Sequence, residues 1–284
     1  MTGRTRTALL GALLAAAGIA LLRVLAFNVG AIHHADALTL HGFMSLDRPS
    51  VHRLASGVAH VADPAPYGFF GLLLIWIALV RGRVRQALGV AVILGGAAVT
   101  TDRLLKPVLE AHRYSDVLGF RQVPDISFPS GHATASMALA LCAIVVASPA
   151  FRPYVAALGA LFAVAVSYAF LSLGWHYPSD VLGGYLVAGF WTAIVVAALS
   201  EAEARWPARS GRRAAGLVLS RVQARALMAA VAGALILAAV VVAAVAPERT
   251  IDFLRVHTIF AVGAAAIAVA SVAVAGVLTA MLRD

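Results

Sequence analysis

The stretch Lys106–His132, KPVLEAHRYSDVLGFRQVPDISFPSGH, is a long polar interval between two strongly apolar runs of the sequence. A shorter polar interval, Gly174–Asp180 (GWHYPSD), follows two apolar segments later. We call them the first and second polar intervals. Apolar runs of about 20 residues are long enough to cross a bilayer as helices, so both intervals are expected at helix ends. The sequence predicts that they meet at one membrane surface.

The composition indicates an integral membrane protein. Apolar residues make up 62% of the 284 residues and charged residues only 12%, whereas a soluble domain carries about a quarter charged residues. We predict an all-α, polytopic membrane protein with about eight transmembrane helices. The N-terminal apolar run is too long for a signal peptide and is taken as the first span. The predicted spans are 8–27, 67–80, 86–105, 132–148, 154–173, 181–200, 226–246 and 258–281.

The positive charges predict the orientation in the membrane. Counted on these spans, thirteen cationic residues fall in the segments on the N-terminal side of the membrane and eight in those on the other side. This bias favours cytoplasmic termini, a plasma-membrane location and an extracytoplasmic site. The arginines occupy short connections and the linker 201–225, so the net charge of +9 reflects topology and predicts no nucleic-acid partner.

The outer segment 28–66 holds five of the nine histidines, but their spacing matches no metal-ligand pattern, and no metal site is predicted. Asp47-Arg48-Pro49 is a plausible helix start. The helix after it could lie on the outer leaflet or pack as an ordinary loop helix, and the sequence leaves both readings open.

Pro129-Ser130-Gly131-His132 lies directly before an apolar span. Ser130 can therefore cap a helix whose first N–H groups are unpaired, and such a terminus attracts anions. Gly131 allows the backbone to approach a phosphate closely. His132, in the first turn, suits proton donation to a leaving oxygen.

The remaining chemistry lies at the ends of the two intervals. Asp180 falls in the first turn of the next span, from where its carboxylate could orient His176 as a nucleophile. Lys106 and Arg113 supply cations for phosphate oxygens, although cations at span ends also snorkel to the interface.

These residues resemble the type-2 phosphatidate phosphatase superfamily, which includes membrane lipid phosphatases and haloperoxidase relatives. Its motifs Lys-x6-Arg-Pro, Pro-Ser-Gly-His and Ser-Arg-x5-His-x3-Asp correspond to 106–114, 129–132 and 169–180. The resemblance implies a six-helix phosphatase core over 1–200, followed by the linker 201–225 and a C-terminal transmembrane hairpin, 226–284.

The resemblance also implies roles for the site residues, without a metal ion or other cofactor. A phosphohistidine forms on His176, Asp180 orients that ring, and His132 protonates the departing oxygen. The implied phosphate ligands are Lys106, Arg113, Ser130 and Gly131.

Two positions depart from the family motifs. Tyr114 replaces a proline, and Ala169-Phe170 replaces Ser-Arg, so the arginine that contacts the phosphate is missing. Arg121 or Arg103 could substitute for that cation.

The expected activity is hydrolysis of a membrane lipid phosphate or pyrophosphate at the extracytoplasmic face. A polyprenyl phosphate is the first choice, and phosphatidate or phosphatidylglycerol phosphate the second. The alternatives are a lipid-linked phosphotransferase and a non-catalytic lipid-phosphate binder or transport component. The C-terminal hairpin is expected to serve packing or homo-oligomer contact.

Overall fold

The computed structural model describes residues 1–207, 252–253 and 256–282, and the regular structure in these ranges is helical. This confirms the all-α prediction. We number the α-helices of these ranges in chain order. They are α1 (Gly3–Asn28), α2 (Gly30–Met44), α3 (Pro49–Ala59), α4 (Pro64–Val80), α5 (Val84–Val99), α6 (Lys106–Leu109), α7 (Gly131–Val146), α8 (Arg152–Ser172), α9 (Pro178–Arg205) and α10 (Thr258–Met281). A π-helical turn, Thr100–Leu105, joins α5 to α6, and short 3₁₀ turns cover His60–Ala62 and Asp116–Leu118.

Several of these helices match predicted spans. Within the described ranges, five helical stretches are long and apolar enough to cross a membrane, namely Gly3–Asn28, Val84–Leu109, Arg152–Ser172, Pro178–Arg205 and Thr258–Met281. The pair Pro49–Ala62 and Pro64–Val80 adds a sixth if it is counted as one span with a 52° bend. The predicted span 67–80 forms the second half of this bent pair. The predicted span 226–246 lies outside the described residues.

Helix α7 lies at the centre of the bundle and is shorter than the helical stretches long enough to cross a membrane. Its 16 residues give a length of about 24 Å, less than the roughly 30 Å of a bilayer core. Almost all its side chains are buried, because α5, α8 and α9 pack around it. Its length therefore need not match the lipid, and its N-terminus can begin below the rim of the bundle.

The outer segment is more helical than the sequence indicated. The 15-residue α2 was not predicted, and it buries Asp36, Leu40 and Phe43. Helix α3 begins at Pro49, close to the predicted start. It packs on α8, and Ala55 is buried, whereas Leu54 is 70% exposed. One side of α3 therefore faces the bundle and another side does not.

A glycine at the start of α9 allows α7 and α9 to meet closely. A Cβ atom at Gly184 would lie 2.7 Å from the Ser130 carbonyl oxygen and 2.8 Å from the Thr134 nitrogen. Both distances are shorter than van der Waals contact, so only glycine fits here. The Ser130 N–H donates to the Asp180 carbonyl oxygen at 2.9 Å, which joins the two helix starts directly.

The opposite end of the bundle gathers cationic side chains. Arg81 and Arg83 donate to the carbonyl of Val146, the last residue of α7. The Thr2 N–H donates to Glu201 near the end of α9 at 2.9 Å. The N-terminus therefore lies at the end of the bundle away from the starts of α7 and α9, as the predicted topology requires. Which membrane face this end occupies stays a prediction.

The C-terminal helix α10 packs on the bundle. Ser271 donates to the Ala160 carbonyl of α8 at 3.0 Å, and Tyr168 donates to the Ala264 carbonyl at 2.6 Å. Thr39 of α2 donates to the Ile259 carbonyl at 3.3 Å. At least this half of the predicted hairpin contacts the same helices that carry the polar intervals. Its part in oligomer contact stays a prediction.

Candidate active site

Helix α7 begins as the sequence predicted. Ser130 is its N-cap, and its hydroxyl accepts from the Ala133 N–H at 3.3 Å. Ser130 is fully buried, whereas Gly131 and His132 are partly exposed. The positive end of α7 is therefore open at Gly131 and His132.

The second polar interval forms a tight turn between α8 and α9. Gly174 takes a positive φ of 77°, and the Trp175 N–H donates to the Phe170 carbonyl at 3.1 Å. Asp180, in the first turn of α9, accepts from the Tyr177 N–H through Oδ2 at 3.0 Å. These bonds fix His176 on a short loop whose two ends are held by helices.

The two predicted histidines face one another across the two intervals. The centroids of the His132 and His176 rings are 6.4 Å apart. Asp180 Oδ2 lies 3.5 Å from His176 Nδ1, which is too long for a hydrogen bond and leaves this buried nitrogen without a bonded partner. Hydrogen bonds of catalytic groups are often long before substrate binds. The geometry suits Asp180 as the partner of His176.

Phe170 fills the position of the missing arginine. Its side chain is fully buried, and its ring centroid lies 5.9 Å from that of His132 and 5.3 Å from that of His176. Trp175 adds a second aromatic ring, 5.4 Å from His132. One side of the histidine pair is therefore an apolar wall.

Arg113 was expected to contact phosphate, but in the structure it is paired with two protein carboxylates. Its side chain is 3% exposed, and it donates through Nη1 to Asp36 at 3.0 Å and through Nη2 to Asp180 at 2.6 Å. The guanidinium carbon also lies 3.9 Å from the Tyr177 ring centroid and 4.3 Å from that of Phe27. In this conformation Arg113 forms buried ion pairs with Asp36 and Asp180 and does not line the cavity at the start of α7. It therefore holds the Asp180 carboxylate in place.

Asp36 of α2 completes this buried cluster. Its carboxylate accepts from the Ser179 N–H at 2.9 Å and from the Ser179 hydroxyl at 2.6 Å, in addition to Arg113. Burial raises the pKa of the Asp36 carboxyl to about 6, although Arg113 and Ser179 act in the opposite direction. Asp36 is therefore mostly ionised at pH 7.

Lys106 lies at the rim of a cavity. Its Nζ pairs with Asp102 at 2.7 Å and would lie 3.3 Å from a Cβ atom at Gly131. The cavity has a volume of about 260 Å³ and includes Lys106, Gly131 and His132 among its lining residues. The π-helical turn carries Asp102 and Thr101 into the same wall. A wider turn of this kind frequently marks functional sites.

The substitute cations proposed from the sequence lie elsewhere. Arg121 pairs with Asp47 at 3.7 Å, and Arg103 is exposed. Neither lines the cavity that contains Lys106 and His132. Within the described part of the chain, no group of three or more potential metal ligands is present.

Sequence reasoning missed three acidic residues, Asp36, Asp63 and Asp102. The Asp63 carboxylate accepts a hydrogen bond from Nε2 of His132 at 3.0 Å. Asp36 gave no clear signal, because α2 contains three histidines and is not a strongly apolar run in which an aspartate would stand out. Nothing in the sequence connects Asp63 to His132, 69 residues away.

Comparisons with known proteins show what the chain is similar to. Residues 87–203 match the family model described as PAP2 superfamily. That segment includes the predicted site residues but neither Asp36 nor Asp63. Among solved structures, the chain is similar to one entitled "Crystal structure of the first transmembrane PAP2 type phosphatidylglycerolphosphate phosphatase from Bacillus subtilis", with 20% sequence identity and a TM-score of 0.57. The similarity covers 69% of this chain and 98% of that one, and at this identity it shows a shared fold. No curated protein matches the sequence.

Proposed function

We propose, from the match of residues 87–203 to the PAP2 superfamily model and from the geometry of the site, that this chain is a membrane phosphatase that hydrolyses a lipid phosphate or diphosphate. The observation that carries the proposal is the pair of facing histidines, 6.4 Å apart, with a carboxylate beside each ring. An attacking nitrogen lies about 3 Å from phosphorus, and a proton donor about 2.8 Å from the leaving oxygen. In the proposed arrangement the phosphoryl group lies between these two rings.

In the proposed reaction, a nitrogen of His176 attacks phosphorus while the bond from phosphorus to the lipid oxygen breaks. His132 donates its proton to that departing oxygen, so the lipid leaves as an alcohol or, from a diphosphate, as a monophosphate. A water molecule then attacks the phosphohistidine, gives a proton back to His132 and releases inorganic phosphate. Asp180 compensates the positive charge that phosphorylation places on the His176 ring.

The phosphate is held mainly by Lys106 and by the open N-terminus of α7 at Gly131. Both border the cavity, and developing negative charge on phosphate oxygens is stabilised by cations and N–H groups. Ser130 contributes as the cap that fixes this terminus, because its own hydroxyl is buried. We assign no metal ion or other cofactor to the reaction.

The substrate class follows from the setting of the site. The cavity is lined by apolar side chains such as Ala62 and Ala98 and by polar ones such as Lys106 and Asp102, so it offers both an apolar surface for an acyl or prenyl chain and a cation for its phosphate. A polyprenyl phosphate or diphosphate at the extracytoplasmic face is our first candidate. Phosphatidylglycerol phosphate is the second, since the similar solved structure is of a phosphatase for that lipid.

The test is phosphate release by the purified full-length chain in detergent with a chelator present. The panel contains polyprenyl diphosphate, phosphatidylglycerol phosphate and phosphatidate. We expect His176→Ala to abolish release, and wild type to form an acid-labile protein phosphate that the variant lacks. The matched control is His112→Ala, because His112 is 65% exposed and pairs only with Asp125 at the surface. Equal release by wild type and His176→Ala would refute the nucleophile assignment.

A non-catalytic lipid-phosphate binder is the alternative that one observation favours. Phe170 occupies the place of the family arginine, and Arg113 is held by carboxylates, so fewer cations face the substrate. Binding of a lipid phosphate without turnover or protein phosphorylation would support this alternative. A lipid-linked phosphotransferase differs only in its acceptor, and phosphorylated products formed with added alcohols or sugars would reveal it.

A further inference from the structure

His132 has its own acidic partner, and we infer that Asp63 is a positioning residue that holds His132 as the proton donor of the reaction. This inference rests on the proposed function. The Asp63 Oδ1 atom lies 3.0 Å from His132 Nε2, so the site contains two His–Asp pairs, one for each histidine. The carboxylate comes from the turn before α4, outside the segment that matches the family.

The local sequence keeps the Asp63 carboxylate available for His132. Asp63 is the N-cap of α4, where an aspartate normally accepts from the N–H of the second or third helical residue. The third helical residue is Pro66, which has no N–H, and the side chain of Asp63 makes no capping bond. The carboxylate is thus not used by its own helix.

The bend between α3 and α4 places this carboxylate beside α7. The two helical stretches that meet here are inclined by 52°, and the Asp63 N–H donates to the His60 carbonyl at 3.1 Å. The adjoining Ala62 and Pro64 line the same cavity as His132. The turn that carries Asp63 is therefore a wall of the site.

The other charged groups near His132 explain why a carboxylate is useful there. Burial is the main effect that disfavours a positive charge on this ring, and His176 from the loop before α9 and Lys106 from α6 add to it. Asp102 lines the cavity too, but it is paired with Lys106. Asp63 is the acidic group in direct contact with His132, and it favours the protonated ring that a proton donor needs.

Leaving-group dependence separates this role from a purely structural one. An alkoxide leaves poorly without a proton, whereas p-nitrophenolate leaves without one. We compare Asp63→Asn with wild type on the preferred lipid phosphate and on p-nitrophenyl phosphate across pH 5 to 9. The matched control is Asp125→Asn, which removes the carboxylate of an exposed Asp–His pair, His112–Asp125, at 2.7 Å.

We expect Asp63→Asn to lose about 10- to 100-fold in kcat on the lipid, since a positioned acid contributes about 10²- to 10⁴-fold and asparagine keeps part of the contact. The loss on p-nitrophenyl phosphate should be several-fold smaller. The alkaline limb of the lipid pH profile should move to lower pH, because the protonated ring loses its carboxylate. Asp63→Glu should retain more lipid activity, and Asp125→Asn should match wild type.

Addition of Asp63→Asn to His132→Ala should cause no further loss, because the carboxylate acts through that ring. Equal losses on both substrates with an unshifted pH profile would overturn the inference, as would an additional loss in the His132→Ala background. Wild-type activity on Asp63→Asn would do the same. If wild type itself releases no phosphate from any substrate, the proposed function has failed, which is a distinct result.

Discussion

Replacement of Gly184 by alanine tests whether catalysis depends on the close approach of α7 and α9. The added Cβ would lie 2.7 Å from the Ser130 carbonyl oxygen, 2.8 Å from the Thr134 nitrogen and 2.9 Å from the Ala133 Cβ. Two of these three atoms belong to the backbone, which cannot rotate away as a side chain can. The two helices must therefore separate.

The size of the effect follows from these distances. An ordinary contact needs about 3.4 Å or more, so the start of α7 must move by roughly 0.5 to 1 Å. Overpacking of this kind costs about 1–3 kcal/mol of stability. The same shift stretches the 2.9 Å bond from the Ser130 N–H to the Asp180 carbonyl and displaces Gly131 from the second interval. A misplacement of about 1 Å can lower a rate by about 10²-fold, so activity should fall much further than stability.

The assay compares kcat for lipid phosphate release with thermal unfolding in the same detergent. The matched control is Gly189→Ala, because that glycine is on the same helix and its Cβ would meet only Val274, at 3.8 Å. Both substitutions gain similar helix propensity. We expect Gly189→Ala to keep wild-type activity and Gly184→Ala to lose about 100-fold. Full activity in Gly184→Ala would refute the argument that this spacing positions the site.

Three further predictions concern the residues around the histidines. Asp36→Ala should lower the free energy of unfolding by about 1–3 kcal/mol, since it leaves the buried Ser179 N–H without its acceptor and removes one of the two carboxylates that contact Arg113; denaturation in detergent measures this, and a change below about 0.5 kcal/mol would contradict it. In the folded protein the pKa of Asp36 is raised to about 6 from an ordinary 3.8. The folded state therefore binds more protons than the unfolded state between these two pH values. Acidification from pH 7 to pH 4 should thus increase the free energy of unfolding of wild type relative to that of Asp36→Asn. Phe170→Arg should raise turnover by up to about 10²-fold, the worth of one donor to the transition state, whereas the uncharged control Phe170→Leu should not; unchanged turnover in both would show that another cation already serves the phosphate.

Features that depend on neighbouring residues were predictable from the sequence. The apolar runs predicted the described spanning helices to within a few residues, because burial in a bilayer demands long apolar stretches. The N-cap at Ser130 and the start of α9 at Pro178 were likewise predictable, because each depends on a few adjacent residues. The meeting of His132 and His176 could be expected because both intervals precede or follow apolar helices on the same side of the bundle.

Features that depend on distant contacts were not predictable. The bond from the Ser179 N–H to Asp36 joins residues 143 positions apart, and helix α2, which carries Asp36, has no strong apolar run to reveal it. The role expected for Arg113 shows the same limit. A motif gives the residue at a position, whereas the direction of its side chain depends on which carboxylates fold against it.

Arg113 is bound by two carboxylates. This explains how a buried cation can contact Asp180 while Asp180 still presents negative charge to His176. Arg113 carries one positive charge and contacts two carboxylates, Asp36 through Nη1 and Asp180 through Nη2. If Asp180 were its only partner, the pair would be neutral, and little negative charge would face His176. With Asp36 ionised, the cluster keeps one net negative charge, and Asp180 Oδ2, 3.5 Å from the His176 ring, is where that charge can compensate a phosphorylated imidazole. Because Asp36 balances its charge, Arg113 can hold Asp180 in place without neutralising the Asp180 carboxylate. Lys106 and the start of α7 are then the positive groups that face the phosphate.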